Sequence, residues 1–210
     1  MRPSLGLVFV GIVLASCATS VPPEELQQWQ SRSLYTCCNI HYENPAKISD
    51  ANYFVGSTLP FGSPAVVRSM TNKSITFSSG AQSFTITHDY GTNEAIQQFA
   101  AKLFVDVDPR RRFETFSPTV RNAITDGRVE VGMNRDQVLM SIGYPPTHRT
   151  ATLDMTTWTY WYNRWFSYQV QFNGEGVVTA VVGSRAPTRG EPVVPVAPPP
   201  APAPEPRRRY

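Results

Sequence analysis

Val131-Gly132-Met133-Asn134-Arg135-Asp136-Gln137-Val138, continuing to Ile142-Gly143-Tyr144-Pro145-Pro146, is the stretch that decides the fold. Asn134 is a helix cap, and Gln137 stands three residues on, where its side chain can reach back in a capping box. Val138, Leu139 and Ile142 then give the helix a buried side, and Gly143 followed by two prolines stops it. Upstream, Ser117-Pro118 sets a cap before a proline in a first helical turn. That helix carries Val120, Ala123 and Ile124, and Gly127 suits its left-handed end. Downstream come three strand-like runs: 157–161, 166–172 and 177–181. Asn173-Gly174-Glu175-Gly176 joins the last two as a tight hairpin. The order is helix, helix, strand, strand, strand.

These residues resemble the signature of the SmpA/OmlA lipoproteins, a family that includes BamE, an accessory lipoprotein of the outer-membrane β-barrel assembly machine. The family pattern is a Gly-Met turn, a short helix with Gln-Val, a Gly-x-Pro exit, an aromatic strand and a hairpin. Gly132, Met133, Gln137, Val138, Gly143 and Pro145 match it, and Trp158-Thr159-Tyr160-Trp161 and Phe172-Asn173-Gly174-Glu175-Gly176 follow in order. The match covers roughly 70 of the 210 residues. It implies a two-helix, three-stranded antiparallel domain with a structural motif and a role in envelope biogenesis. Related repeats occur in proteinaceous β-lactamase inhibitors, so the fold alone does not set the partner.

Ahead of this domain lie about 80 residues that the family does not have. Short runs at 53–55, 65–67, 74–77 and 83–87 carry β-branched and aromatic residues, punctuated by Gly56, Pro60, Gly62, Pro64, Asn72 and Gly80. They predict a small β-rich module. Thr92 then reads as the cap of an amphipathic helix with Ile96, Phe99, Ala100, Leu103 and Phe104 on one face. Arg110-Arg111-Arg112 follows, and Asp106, Asp108 and Glu114 neutralise it locally.

The N-terminus sets the compartment. After Arg2, residues 5–15 form an apolar run of 11 residues. A membrane-spanning helix needs about 20, so the run has the length of a signal-peptide core. Leu14-Ala15-Ser16-Cys17 resembles the lipobox of bacterial lipoprotein precursors, which implies cleavage before Cys17 and lipid on its sulfur. Ala18 stands where enterobacterial lipoproteins carry the Asp that retains them in the inner membrane, so export to the outer membrane is expected. Two or more acyl chains anchor stably where one is marginal.

The chain carries 19 Lys+Arg and 16 Asp+Glu, a net charge of +3. Residues 34–183 are balanced, with 12 of each sign, so the whole surplus lies in the tail. A neutral folded part gives no electrostatic draw toward nucleic acid. Beyond residue 185 the tail is proline-rich and ends Arg207-Arg208-Arg209-Tyr210, which predicts extended polyproline II.

Candidate chemistry is sparse. Cys37 and Cys38 are adjacent, and two packed thiols are the expected state. A vicinal or intermolecular disulfide, and a metal or nucleophile role with His41, His88 and Asp89, are the alternatives. Neither a nucleophile elbow nor a phosphate loop, a zinc-protease helix or a paired-Cys redox motif is present in the sequence. Trp158, Tyr160, Trp161, Tyr162, Trp165, Phe166 and Tyr168 crowd 11 residues. Alternation sends one set under the helices and leaves the other as a docking surface. Trp158, Tyr160, Trp161 and Trp165 are the candidate partner residues.

The resulting expectation is an α+β chain: a signal peptide over 1–16, a lipidated tether over 17–33, a β-rich module with one helix over 34–115, an SmpA/OmlA-like domain over 116–184 and a basic proline-rich tail over 185–210. The expected function is a non-enzymatic, outer-membrane, periplasm-facing lipoprotein that acts as a scaffold or accessory factor, with barrel assembly as the leading process. No cofactor, metal or nucleic acid is expected. The alternatives are a periplasmic protein-binding or inhibitory module, and a thiol- or metal-dependent enzyme.

Overall fold

The computed structural model describes residues 19–88 and 94–183. Cys17, Asp89, the expected cap Thr92 and the 185–210 tail lie outside the described residues. Among those described, no helix is long and apolar enough to cross a membrane.

Alternation of apolar residues builds the first half of the chain. Strands β1 (Leu34–Thr36), β2 (Ile40–Tyr42), β3 (Ile48–Ser49), β4 (Ser57–Leu59), β5 (Pro64–Met70), β6 (Ser74–Ser79) and β7 (Gln82–Thr87) follow helix α1 (Pro23–Gln30). Ala65, Val67 and Met70 of β5 point inward, and a register shift between Val67 and Ser69 restores the inward face after one extra residue. Ile75 and Phe77 on β6 and Phe84 and Ile86 on β7 complete the same face, all fully buried. Helix α2 (Ile96–Leu103) runs into β8 (Phe104–Val105), which pairs with β1. The sheet order is β3-β7-β6-β5-β1-β8, antiparallel except for the parallel β3–β7 pair, and β2 pairs with β4 apart from it.

The second half holds α3 (Arg110–Phe113), α4 (Pro118–Thr125), α5 (Arg135–Ile142), β9 (Thr157–Asn163), β10 (Phe166–Phe172) and β11 (Val178–Val182). The Ser117 hydroxyl accepts from the Val120 amide and caps α4. At α5 the Asn134 side chain accepts from the Gln137 amide at 3.0 Å, while Gln137 accepts from the Asn134 amide at 2.9 Å. The three strands form an antiparallel sheet in the order β11-β10-β9. Register sets Tyr168 opposite Tyr160 and Val170 opposite Trp158, and all four are buried.

The expected fold class is overturned. In place of a small β-rich module followed by a self-contained two-helix, three-stranded domain, the described residues form a mixed α/β structure with a curled six-stranded sheet and five helices. Pairings between distant segments make the difference. β1 lies between β5 and β8, so residues near 35, 65 and 105 share one sheet. Phe61, from the first half, packs in the second core and meets Phe113 at 4.8 Å between ring centroids.

Two asparagines join the halves. Asn39 is 1% exposed, and its amide donates to the carbonyls of Ile124 (2.7 Å) and Ser141 (2.9 Å) and accepts from the Phe61 amide (3.0 Å). Asn52 donates to the carbonyls of Asn39 and Ile142 and accepts from the His41 amide. Buried amides satisfied in this way fix one arrangement of the two cores.

Three local expectations are also corrected. The tether over 17–33 contains α1, whose Trp29 is buried against the sheet. Residues 53–55 form no strand, because Asn52 turns the chain at φ +47° and sends the Phe54 ring onto His41. Phe104 leaves the helical face for β8, where it pairs with Thr36.

Candidate functional site

Cys37 and Cys38 follow β1 directly and are joined by a disulfide, so the expected packed thiols are replaced by the vicinal alternative. Their surroundings differ. Cys38 is 3% exposed and belongs to the first hydrophobic core. Cys37 is half-buried and lines an open groove of about 340 Å³ with Val105, Val107, Arg111, Leu139 and Tyr144. Arg112, also on this groove, pairs with Asp136 at 2.6 Å, and Asp108 pairs with Arg110.

Behind the disulfide lies a closed polar cluster. His88 Nδ1 is 2.9 Å from an Asp50 carboxylate oxygen, with both side chains almost fully buried. Its Nε2 lies 2.9 Å from the Glu94 carbonyl, which can only accept, so Nε2 carries a proton. The Asp50 carboxylate raises the imidazole pKa against the opposing effect of burial, and the ring stacks on Phe99. Lys102 pairs with Glu94 and lies over the Tyr144 ring. Two cavities, of about 30 and 20 Å³, share Asp50, Phe99, Lys102 and Tyr144 in their walls. That is room for one water each rather than for a substrate.

His41 stands apart from this cluster. It is 6% exposed, its Nδ1 is 3.0 Å from the Thr58 hydroxyl, and it meets Phe54 edge-on. Burial pushes its pKa down to about 4, so it is neutral near pH 7. A Cβ at Gly127 would lie 3.0 Å from the His41 ring, which is why the end of α4 comes so close. The anticipated Cys37–Cys38–His41–His88 constellation is not assembled around one cavity: Cys38 lines the larger of the two small cavities, His88 the smaller, and Cys37 and His41 line neither. Among the described residues, no three His, Cys, Asp or Glu side chains are grouped to hold a metal ion.

The motif residues act in packing and chain reversal. Gly132 has φ +93°, and its amide and the Met133 carbonyl both bond to Val178, tying the turn to β11. Met133 and Val138 are fully buried, and Gln137 closes the cap of α5. Gly143 has φ +79°, and a Cβ there would lie 2.8 Å from the Asn52 amide nitrogen. Its carbonyl accepts from the Tyr160 hydroxyl at 3.0 Å. Pro145 is buried beside the His88 cavity.

The aromatic strip divides. Trp158 and Tyr160, named as partner residues, are 0% and 2% exposed and are core, because their alternation points them under the helices. Burial also raises the Tyr160 and Tyr168 pKa values. Trp161 is half-buried beside His148. Trp165 is 76% exposed at the β9–β10 turn, with the Arg164 guanidinium over its ring at 5.9 Å.

Sequence reasoning missed Asn39, Asn52 and Asp50. The one signal for Asn52 was residue type, since Asn tolerates the left-handed conformation better than most. Asn39 and Asp50 carried no local signal, because their partners are distant in the chain. Compared with protein-family models, with curated proteins and with solved structures, the chain matches none.

Proposed function

We propose that this protein is a lipid-anchored, periplasm-facing lipoprotein of the outer membrane that acts as a non-enzymatic scaffold or accessory factor in envelope biogenesis. The observation that carries this reading is how close in sequence Cys17 stands to the first bonds that tie the chain to the β5–β6 turn. Thr19 bonds to Asn72, Ser20 bridges Thr71, and the Val21 amide donates to the Met70 carbonyl at 3.1 Å. Only Ala18 separates the lipobox cysteine from this attachment. Lipid on Cys17 therefore seats the β5–β6 turn at the bilayer, with no long leash between. A body fixed in this way presents one orientation to a partner, which suits a scaffold. Trp165, with Trp161 behind it, is the docking surface that remains after Trp158 and Tyr160 are assigned to the core. The signature at 132–145 makes barrel assembly the process to test first.

The experiment is a crosslinked pull-down of tagged full-length protein, with Cys17→Ala as the unanchored form and Trp165→Ala as the surface variant. Acyl labelling of the wild type, with recovery of barrel-assembly components that both variants lose, is the expected result. No acyl label on Cys17 overturns the anchor. A soluble periplasmic protein recovered equally with and without the anchor overturns the scaffold reading in favour of a binding module.

A further inference from the structure

We propose that the Cys37–Cys38 disulfide is a thiol–disulfide exchange site, entered through the groove at Cys37 by a dithiol reductant. The inference does not depend on the membrane anchor or on the scaffold reading. It rests on the unequal settings of the two sulfurs. Cys37 opens onto a groove of about 340 Å³, whereas Cys38 is 3% exposed and faces the core. An incoming thiolate must approach a sulfur directly, so access alone selects Cys37 as the atom attacked.

The charged side chains lining the groove balance, Arg111 and Arg112 against Asp108 and Asp136, so access and not net charge decides which sulfur is met. Of the guanidinium groups lining it, Arg112 is paired with Asp136, and Asp108 is paired with Arg110. Arg111 lies on the same groove, where its charge acts on Asp108. Val105, Val107 and Leu139 supply an apolar wall for the body of the reductant, and Val107 is 69% exposed.

The step balances as follows. A thiolate of the reductant attacks Sγ of Cys37, and the Cys37–Cys38 bond breaks with its electron pair leaving on Sγ of Cys38, which takes up a proton. The reductant's second thiol, as thiolate, attacks its own sulfur in the mixed disulfide. Cys37 departs as thiolate, and the reductant closes to a disulfide. The protein gains two electrons and the dithiol loses two. The pair is the substrate of the exchange and needs no catalyst from this chain.

The test uses the full-length chain with Cys17→Ala, so that Cys37 and Cys38 are the sole sulfhydryl residues. As purified, the folded protein should not react with a maleimide. Dithiothreitol without denaturant should add two hydrogens by mass, and a brief maleimide pulse should then label Cys37 on the order of tenfold faster than Cys38, read by fragment-ion mapping. Oxidised glutathione should close the pair again. In single variants, Cys38→Ser should react rapidly with an aromatic disulfide and Cys37→Ser slowly. Reduction that requires denaturant, equal labelling of the two sulfurs, or two free thiols that oxidised glutathione fails to join would each overturn the proposal. The mass and labelling measurements on the intact pair stand even where a serine variant fails to fold.

Discussion

Replacing Asn39 by alanine tests whether the two cores form one cooperative unit. The side chain makes three buried hydrogen bonds, of 2.7, 2.9 and 3.0 Å. The Ile124 carbonyl also accepts from the Gly127 amide, so it keeps a partner. The Phe61 amide and the Ser141 carbonyl lose the bonds this side chain supplies. An orphaned buried polar group costs about 1–3 kcal/mol, and loss of a bond whose partner stays satisfied costs less. The sum is about 4 kcal/mol, a large share of the roughly 5–15 kcal/mol that stabilises a domain. With a urea slope of about 2 kcal/mol/M, the midpoint should fall by about 2 M. Intrinsic tryptophan fluorescence and far-ultraviolet dichroism should shift together, because Trp29 reports the first core and Trp158 the second. Asn39→Asp should cost more than alanine, since it sets a carboxylate against two carbonyl oxygens. A loss under about 1 kcal/mol, or two separated transitions of which only one moves, would refute the reasoning.

The remaining expectations concern pH, packing and backbone. His41 is neutral in the fold, with its pKa down to about 4 against about 6.5 when unfolded, so the unfolded chain binds the extra proton between those values. Stability should therefore fall with acidification across that window, by up to about 3 kcal/mol, and a His41→Gln urea series should flatten the decline. His88 works in the opposite direction. Its raised pKa gives stability that is complete below the unfolded value and lost as pH rises through the folded one. The deficit of His88→Gln relative to wild type should shrink toward alkaline pH. Trp158→Ala should lose about 3–5 kcal/mol in urea melts, whereas Trp165→Ala should stay within about 0.5 kcal/mol while lowering recovery of the proposed partner in the crosslinked pull-down. Gly143→Ala should lose about 2–3 kcal/mol or more, because φ +79° with ψ −172° is a backbone state that strains an alanine by about 1–3 kcal/mol and its Cβ displaces the Asn52 amide.

Local signals were legible in the sequence wherever the deciding partner lay a few residues away. The Asn134–Gln137 cap, the Ser117 cap, the positive φ of Gly127 and Gly143, and the inward face of β6 and β7 all follow from nearest-neighbour rules. The architecture was not legible, because it depends on pairs such as Tyr35 with Val105 and Asn39 with Ser141, which no periodicity announces. For the same reason the short polar stretch over 17–33 read as a tether. Trp29, buried at 8% exposure, and the partly buried Leu26 make α1 part of the core. The strip at 158–165 carried its own alternation, so Trp158 against Trp161 was separable in principle. Trp165 required knowledge that the strand ends at Asn163.

The exchange site and the seam between the cores are one feature of the chain. Cys37, Cys38 and Asn39 are consecutive: the Cys37 amide bonds to the Leu103 carbonyl of the first core, and the Asn39 amide bonds to the Met140 carbonyl of α5. Within these three residues the backbone passes from one core to the other, and the disulfide removes freedom from the passage in between. Surface loops absorb a change in sulfur chemistry without consequence, but a segment bonded at both ends transmits it to whatever it joins. A dithiol reaching Cys37 therefore acts on the residue beside Asn39, whose three bonds set how the curled sheet meets α4 and α5.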